Sequence, residues 1–451
     1  MKKALLLVLG LLLGVALHAQ TGTEFWLAPP EVTSSHGDQP IYINVTTLDQ
    51  PAVVTISQPA NAAFNGGTPI VLNMAANTAQ RYDLTSLKAQ LETRPTDAVL
   101  NTGLLISATA NITCYYEPSF TNNPDIAALK GANSLGTEFY IPLHKHAPFF
   151  NHGYTAPNLA YASFDIVATE NGTLVMIYSP VPVDGHPALT PFTVTLNRGQ
   201  TYSCAWTGAN QTDPLTHPSG AVVLSNKPVA ISIKDDSNHN PSGGCYDLML
   251  DQIVPVNILG TDYIAVKGAL NATGDESLFL MAVENNTQIF MDGSATPAAT
   301  LFAGQYYRHD MDYITTAGGA AFASASKPVY AIHVTGFGCE QGMAILPPLN
   351  CAGSTSVSFT RSTSEAFFLN LLVRNGSQDD FVVAPATATI PASAFQAVPG
   401  TGGEWMAARI QYNTTQIPVN QAYRVNNTTD VFSLALINGG GSSGSRYGFF
   451  S

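Results

Sequence analysis

The chain has 451 residues, 18 basic and 31 acidic, and a formal charge of −13. Charged residues are only 11% while hydrophobic ones reach 45%, which excludes a disordered chain held open by charge. Lys and Arg are too few and too scattered for nucleic acid or an anionic membrane surface, since phosphate binding needs clustered cations.

The first element is a leader. Lys2 and Lys3 precede an apolar run over 4–17, and Leu17-His18-Ala19 sets up cleavage before Gln20. This pattern predicts a secretory signal peptide over 1–19. Its removal takes two lysines, so −13 becomes −15. No later window offers the ~18–20 apolar residues that span a bilayer. The expected address is secreted or cell-surface, on the outer surface of a bacterium.

A repeated unit then runs along the chain. Gly22-Thr23-Glu24-Phe25-Trp26-Leu27 returns as Gly136-Thr137-Glu138-Phe139-Tyr140-Ile141 and as Gly260-Thr261-Asp262-Tyr263-Ile264-Ala265. A degenerate copy begins at Gly353. Ser225-Asn226-Lys227-Pro228-Val229 matches Ala325-Ser326-Lys327-Pro328-Val329, with weaker copies over 105–113 and 425–436. A junction, Val254-Pro255-Val256 or Leu346-Pro347-Pro348, leads into the next opening. The constant order predicts four units, at 20–134, 135–258, 259–351 and 352–451.

Each unit reads as strands. Runs at 164–168 and 174–178 flank Asn171-Gly172, the strongest short hairpin signal. The same hairpin is expected at 278–283 with 288–291, and at 368–373 with 380–383. Another joins 192–196 to 200–203, and the Lys-Pro element is expected as two strands about a turn, where proline is tolerated. Helix is expected only over 86–91 and as a single turn near 247–252. The fold class is therefore all-β, tandem β-sandwich repeats of about seven antiparallel strands each. A β-propeller is the alternative, with two blades per repeat.

Five cysteines suit an oxidising compartment. Cys339 with Cys351 closes a short loop, and a second pair is either Cys114 with Cys204 or Cys204 with Cys245. Nucleophile elbows, phosphate loops and His-Glu-x-x-His motifs are absent from the sequence. Catalytic and cofactor residues are therefore assigned as none. His144, His146 and His152 are the candidate zinc ligands, weighed against solvated loop histidines. Asp235, Asp236, Asn238 and His239 form an oxygen-rich turn that is a candidate calcium site or recognition loop, weighed against an Asx turn. Trp26, Trp206, Trp405, Tyr115, Tyr116, Tyr306 and Tyr307 are either ligand-facing aromatics or core. Nothing selects Asp310 and Asp312 over Asp379 and Asp380 as a glycosidase pair.

The Gly-Thr-Glu-Phe openings, the Val-Pro-Val junction before Gly260-Thr261-Asp262-Tyr263 and the Ser-Asn-Lys-Pro-Val element together resemble the N-terminal domain of the IgG Fc-binding protein family. The run from Leu434 to Gly444 with Tyr447-Gly448-Phe449-Phe450 is similar to the closing strand of its bacterial, gliding-motility-associated branch. The resemblance spans 20–451. It implies an extracellular binding or adhesion module whose partner is a protein or glycan, without catalytic residues, and with further C-terminal modules in the native product. A secreted carbohydrate-active enzyme and a structural spacer are the competing readings.

Overall fold

The computed structural model describes residues 20–144, 159–208, 217–240, 244–271, 275–350, 353–385 and 387–450. The leader, His146, His152 and Cys351 lie outside them. The described residues form an all-β protein of sheets with seven, seven and eight strands, then a fourth set split into three and five, antiparallel except where Ala269–Leu270 runs parallel to Ala320–Gly338. Helix is confined to short turns, of which Lys88–Leu91 is the α-helical one. The segment expected as a helical turn near 247–252 is instead part of the strand Cys245–Gln252. Its alternate side chains face two different cores, and that decides for a strand.

The repeated Gly-Thr-Glu-Phe string is the first strand of its unit in Gly22–Leu27, Gly136–Tyr140 and Gly260–Val266. The Lys-Pro element is not two strands about a turn. It lies inside one 19-residue strand, Val222–Asn240 in unit two and Ala320–Gly338 in unit three. Ladder pairing stops at Asn226, Lys227 and Pro228, and proline is tolerated there because no partner requires its N–H. Before this break the strand pairs with Gly136–Tyr140 and Thr173–Tyr178; after it, with Ala162–Ala168 and Cys245–Gln252.

The expected hairpins are consequently corners. Ala162–Ala168 and Thr173–Tyr178 do not pair with each other but lie end to end along the same long strand, Ala168 beside Val229 and Val175 beside Ser225. Phe192–Leu196 and Thr201–Ala205 divide in the same way between these two strands. A hairpin reading fails because the Asn-Gly turn carries the chain around a bend between two layers. Lys227 ties the bend, its Nζ donating to the Asn171 carbonyl at 2.5 Å, and Lys327 does the same to Asn285 at 2.7 Å. In unit four the long strand is fully broken into Ala422–Asn427 and Phe432–Gly440, which splits that sheet in two.

The opening glycine and the junction proline recur together because they touch. A Cβ on Gly136 would lie 2.2 Å from Pro255 Cβ, and one on Gly260 would lie 2.5 Å from Pro348 Cβ.

The four units close into a ring. One strand from each, Ala127–Ala128, Cys245–Gln252, Glu340–Leu346 and Gly444–Phe449, packs against its counterparts in cyclic order. Period-two alternation lets each such hub strand serve two cores. Met249 enters the core of its own unit, while Leu248 and Leu250 complete that of unit one. Met343 and Ile345 complete unit two, Phe449 packs on unit three, and Ile126 with Ala128 completes unit four. Strands of the inner layers are accordingly buried on both faces, as in Ala162–Ala168, whereas outer strands such as Thr173–Tyr178 alternate.

Candidate functional site

Polar groups taken out of water must find partners, so buried charge marks where this sequence spends its specificity. Such groups concentrate where units meet. Asp235, Asp236 and Asn238 do not form an exposed turn. They lie fully buried in the second half of the corner strand, around a bulge between Asp235 and Asn238. The oxygen-rich stretch is buried because the corner strand continues through it, paired with Ala162–Ala168 as far as Asp235 and with Cys245–Gln252 beyond.

Asp235 meets His144 and, from 18 positions earlier in the chain, His217. His217 Nε2 lies 3.2 Å from Asp235 Oδ2, and the Asn238 amide nitrogen lies 3.0 Å from the same oxygen. That amide also lies 2.7 Å from His144 Nε2. The His144 ring stacks on Phe279 of unit three. Two imidazoles and a carboxylate are a zinc-like donor set. His144 Nε2 lies 3.3 Å from Asp235 Oδ2, and the Asn238 amide reaches both, so the groups bond to one another as a hydrogen-bonded knot. Asp236 is likewise committed: its Oδ2 accepts the Thr33 N–H at 2.6 Å and lies 3.9 Å from Lys234 Nζ. An ammonium at that distance disfavours a calcium ion. Lys234 itself sits 3.6 Å over the Tyr161 ring. His239 is partly exposed and stacks on Tyr246, and burial lowers its pKa.

The hub carries carboxylates that staple strand to strand. Asp125 accepts the N–H groups of Leu250 and Tyr447, from units two and four. Asp251 accepts Ile345 N–H and pairs with Lys130 Nζ at 2.7 Å. Burial raises the Asp251 pKa and lowers that of Lys130, and their mutual contact opposes both shifts. Asp247 accepts Gln341 N–H, and burial followed by the neighbouring Glu340 charge pushes its carboxyl well up. Between units three and four a chain runs inward from Asp312 through Lys267, Glu276 and His333 to Tyr447. Burial works to raise the Glu276 carboxyl, but His333, Lys267 and the Gly268 N–H hold it below its ordinary range. Between units one and four, Glu117 is gripped at 2.8 Å by both Arg81 and Arg446.

The disulfide joins Cys245 to Cys339, stapling the hub strand of unit two to the turn before that of unit three. The expected pairing of Cys339 with Cys351 is therefore corrected. Cys114 and Cys204 are free buried thiols, which removes both alternatives for a second pair. Proximity in sequence misled, because the ring brings residues 94 positions apart to a Cα separation of 5.9 Å.

Among the aromatics, Trp26, Tyr115 and Tyr116 are core and Trp405 is nearly so. Tyr306 and Tyr307 are half-buried, as is Trp206. Trp405 borders a surface cleft of about 360 Å³ between units three and four, where Arg374 lies over its ring and pairs with Glu404. A second cleft, of about 260 Å³, opens between units one and four and is lined by Thr46, Asn77, Ser358, Arg424 and Asn426 among others. Neither Asp247 nor Glu340 lines these clefts.

Residues 125–436 match the family described as IgGFc binding protein. The chain belongs to that family. The match starts at the hub residue Asp125 and ends within the strand Phe432–Gly440, so it takes in the end of unit one, units two and three, and unit four short of its hub strand. No curated protein sequence matches the chain. Among solved structures, the viral chemokine binding protein R17 encoded by rodent gammaherpesvirus Peru is similar at 9% identity over 74% of this chain and 87% of its own. Its TM-score of 0.14 is too low for any argument about fold. Among the described residues no helix of this family member is long and apolar enough to cross a membrane. An extracellular binding module is what the family suggests.

Proposed function

We propose that this member of the IgGFc binding protein family is an exported, non-enzymatic module that holds an extracellular protein or glycan. The family match over 125–436 carries the reading. The ring supports it physically: loops on a rigid β scaffold keep a fixed geometry, so less conformational freedom is lost on binding. The leader over 1–19 and the bacterial, surface-attached branch belong to the same reading.

A carbohydrate-active enzyme needs two carboxyls standing roughly 5–10 Å apart across the scissile bond, and its pair would show as turnover of polysaccharide lost on amide substitution. A spacer role predicts no ligand at all. Pull-down of immunoglobulin G, its Fc fragment and mucins on the immobilised chain, with a glycan array, separates these readings. Capture of one ligand class supports binding. Silence across all of them, in a correctly disulfide-bonded preparation, overturns it.

A further inference from the structure

Arg424 differs from the ion-paired arginines around it. Arg81, Arg94, Arg308, Arg374 and Arg446 all face carboxylates. Among the described residues Arg424 has neither an ion pair nor a side-chain hydrogen bond, and its Nε and Nη2 are buried without an acceptor. It lines the 260 Å³ cleft between units one and four, where it is the one charged residue. Thr46, across the cleft and only 2% exposed, also has a buried hydroxyl with no partner.

The register explains how the cleft is built. Arg424 lies opposite Ser358 on one neighbouring strand and Ala384 on the other. Ala422 and Asn426, two residues away on either side, share its face of the sheet. That face belongs to the three-stranded sheet created when the long strand of unit four breaks. Unit one supplies the opposite wall from the end of Ile41–Thr47 and the turn at Asn77.

A guanidinium with unused donors, facing hydroxyls and amides but no carboxylate, is a complement to an anion. Arg198, Arg361 and Arg409 also lack a carboxylate partner but lie over the rings of Trp26, Phe367 and Phe368, whereas among the described residues Arg424 has no ring beneath it either. The cleft is smaller than the roughly 300–1,000 Å³ of drug-sized pockets, so its occupant is small. Asn77, Asn426 and Ser358 both donate and accept, which suits vicinal hydroxyls, while Ala384, Pro385 and Ala422 give a small apolar wall.

We propose that this cleft binds one acidic sugar residue, with Arg424 on its carboxylate or sulfate and Thr46 and the amides on its hydroxyls. The proposal deepens the binding-module reading by naming a ligand class. It is judged with free sugars, so its failure is separable from that of the reading judged on immunoglobulin and mucin.

The test is titration of the whole chain, by calorimetry and NMR, with methyl N-acetylneuraminate, methyl glucuronide, galactose 6-sulfate, neutral methyl galactoside and an N-acetylated aspartate amide. Acidic sugars should bind at least about tenfold more tightly than the neutral one, and Arg424→Gln should remove that preference. The carboxylate and sulfate arms decide which acid is preferred. Because Arg424 has no internal partner, the unliganded Tm of Arg424→Gln should be unchanged or raised. Absence of acidic-sugar binding at millimolar concentration overturns the proposal, as does unaltered binding in the variant. Equal binding of the aspartate derivative overturns the sugar assignment, and a lowered Tm marks Arg424 as structural.

Discussion

The Asp125 carboxylate accepts the backbone N–H of Tyr447 at 3.1 Å, across 322 positions of sequence. Its other oxygen accepts Leu250 N–H at 2.9 Å, so one side chain of unit one holds the hub strands of units two and four. This contact closes the ring that begins with the first unit. Non-local closure of this kind makes the four units one body and exposes several of its interfaces to test.

Glu117 is the first. It is fully buried and accepts from Arg81, Arg446, Asn44 and Ser362. Glu117→Ala strands two guanidinium groups and should cost about 3–5 kcal/mol. Urea denaturation measures it, and a loss under about 1 kcal/mol contradicts the interface described.

Stability should fall as pH rises from mildly acid to alkaline. Burial raises Asp165 from 3.8 to about 6, and burial followed by the Glu31 charge raises Glu92 from 4.5 to about 7. A carboxyl raised in the folded state binds a proton that the unfolded chain has lost. Its contribution is complete below the unfolded pKa and disappears as pH rises through the folded one. The hub carboxyls Asp125, Asp247, Asp251 and Glu340 are raised in the same sense. His36, lowered to about 4 by burial, acts oppositely but is outnumbered. Tm at pH 5 should exceed Tm at pH 8, and Asp165→Asn with Glu92→Gln should flatten the slope between them. A Tm that rises over that interval refutes the assignment.

Reduction of Cys245 and Cys339, or their joint replacement by Ser, should lower stability by roughly 2–4 kcal/mol. Peptide mapping without reductant should link these two residues. Cys114 and Cys204 should alkylate only after denaturation, since both thiols are buried.

Gly136→Ala should destabilise by about 1–3 kcal/mol, because the added methyl meets Pro255 Cβ at 2.2 Å. Shortening Pro255 to Gly in the same chain should return part of the loss. Additive losses in the double variant, followed by thermal melts, would show that the two residues do not touch.

Much of the architecture was legible because it is local. Period-two alternation in strands such as Thr173–Tyr178, and the recurrence of Gly136 and Gly260 with Pro255 and Pro348, need no knowledge of distant residues. Asn171-Gly172 was legible as a turn but not as a corner, since a tight turn has the same sequence whether its strands pair with each other or lie along a third. The oxygen-rich stretch at Asp235 read as a loop for a similar reason: a buried polar strand and a solvated turn differ in their partners, and His217 and Thr33 lie 18 and 203 residues away.

The repetition and the all-strand class follow from composition and short-range pattern alone, because those features are set by each residue's own preference for water and for backbone conformation. Tertiary structure alone decided that the units close on each other, that Cys245 meets Cys339, and that Arg424 is left without a partner among the described residues. Such outcomes depend on which surfaces meet after folding. In an interior of low dielectric, a buried charge or thiol is defined by the neighbour it finds, and that neighbour is rarely close in the chain.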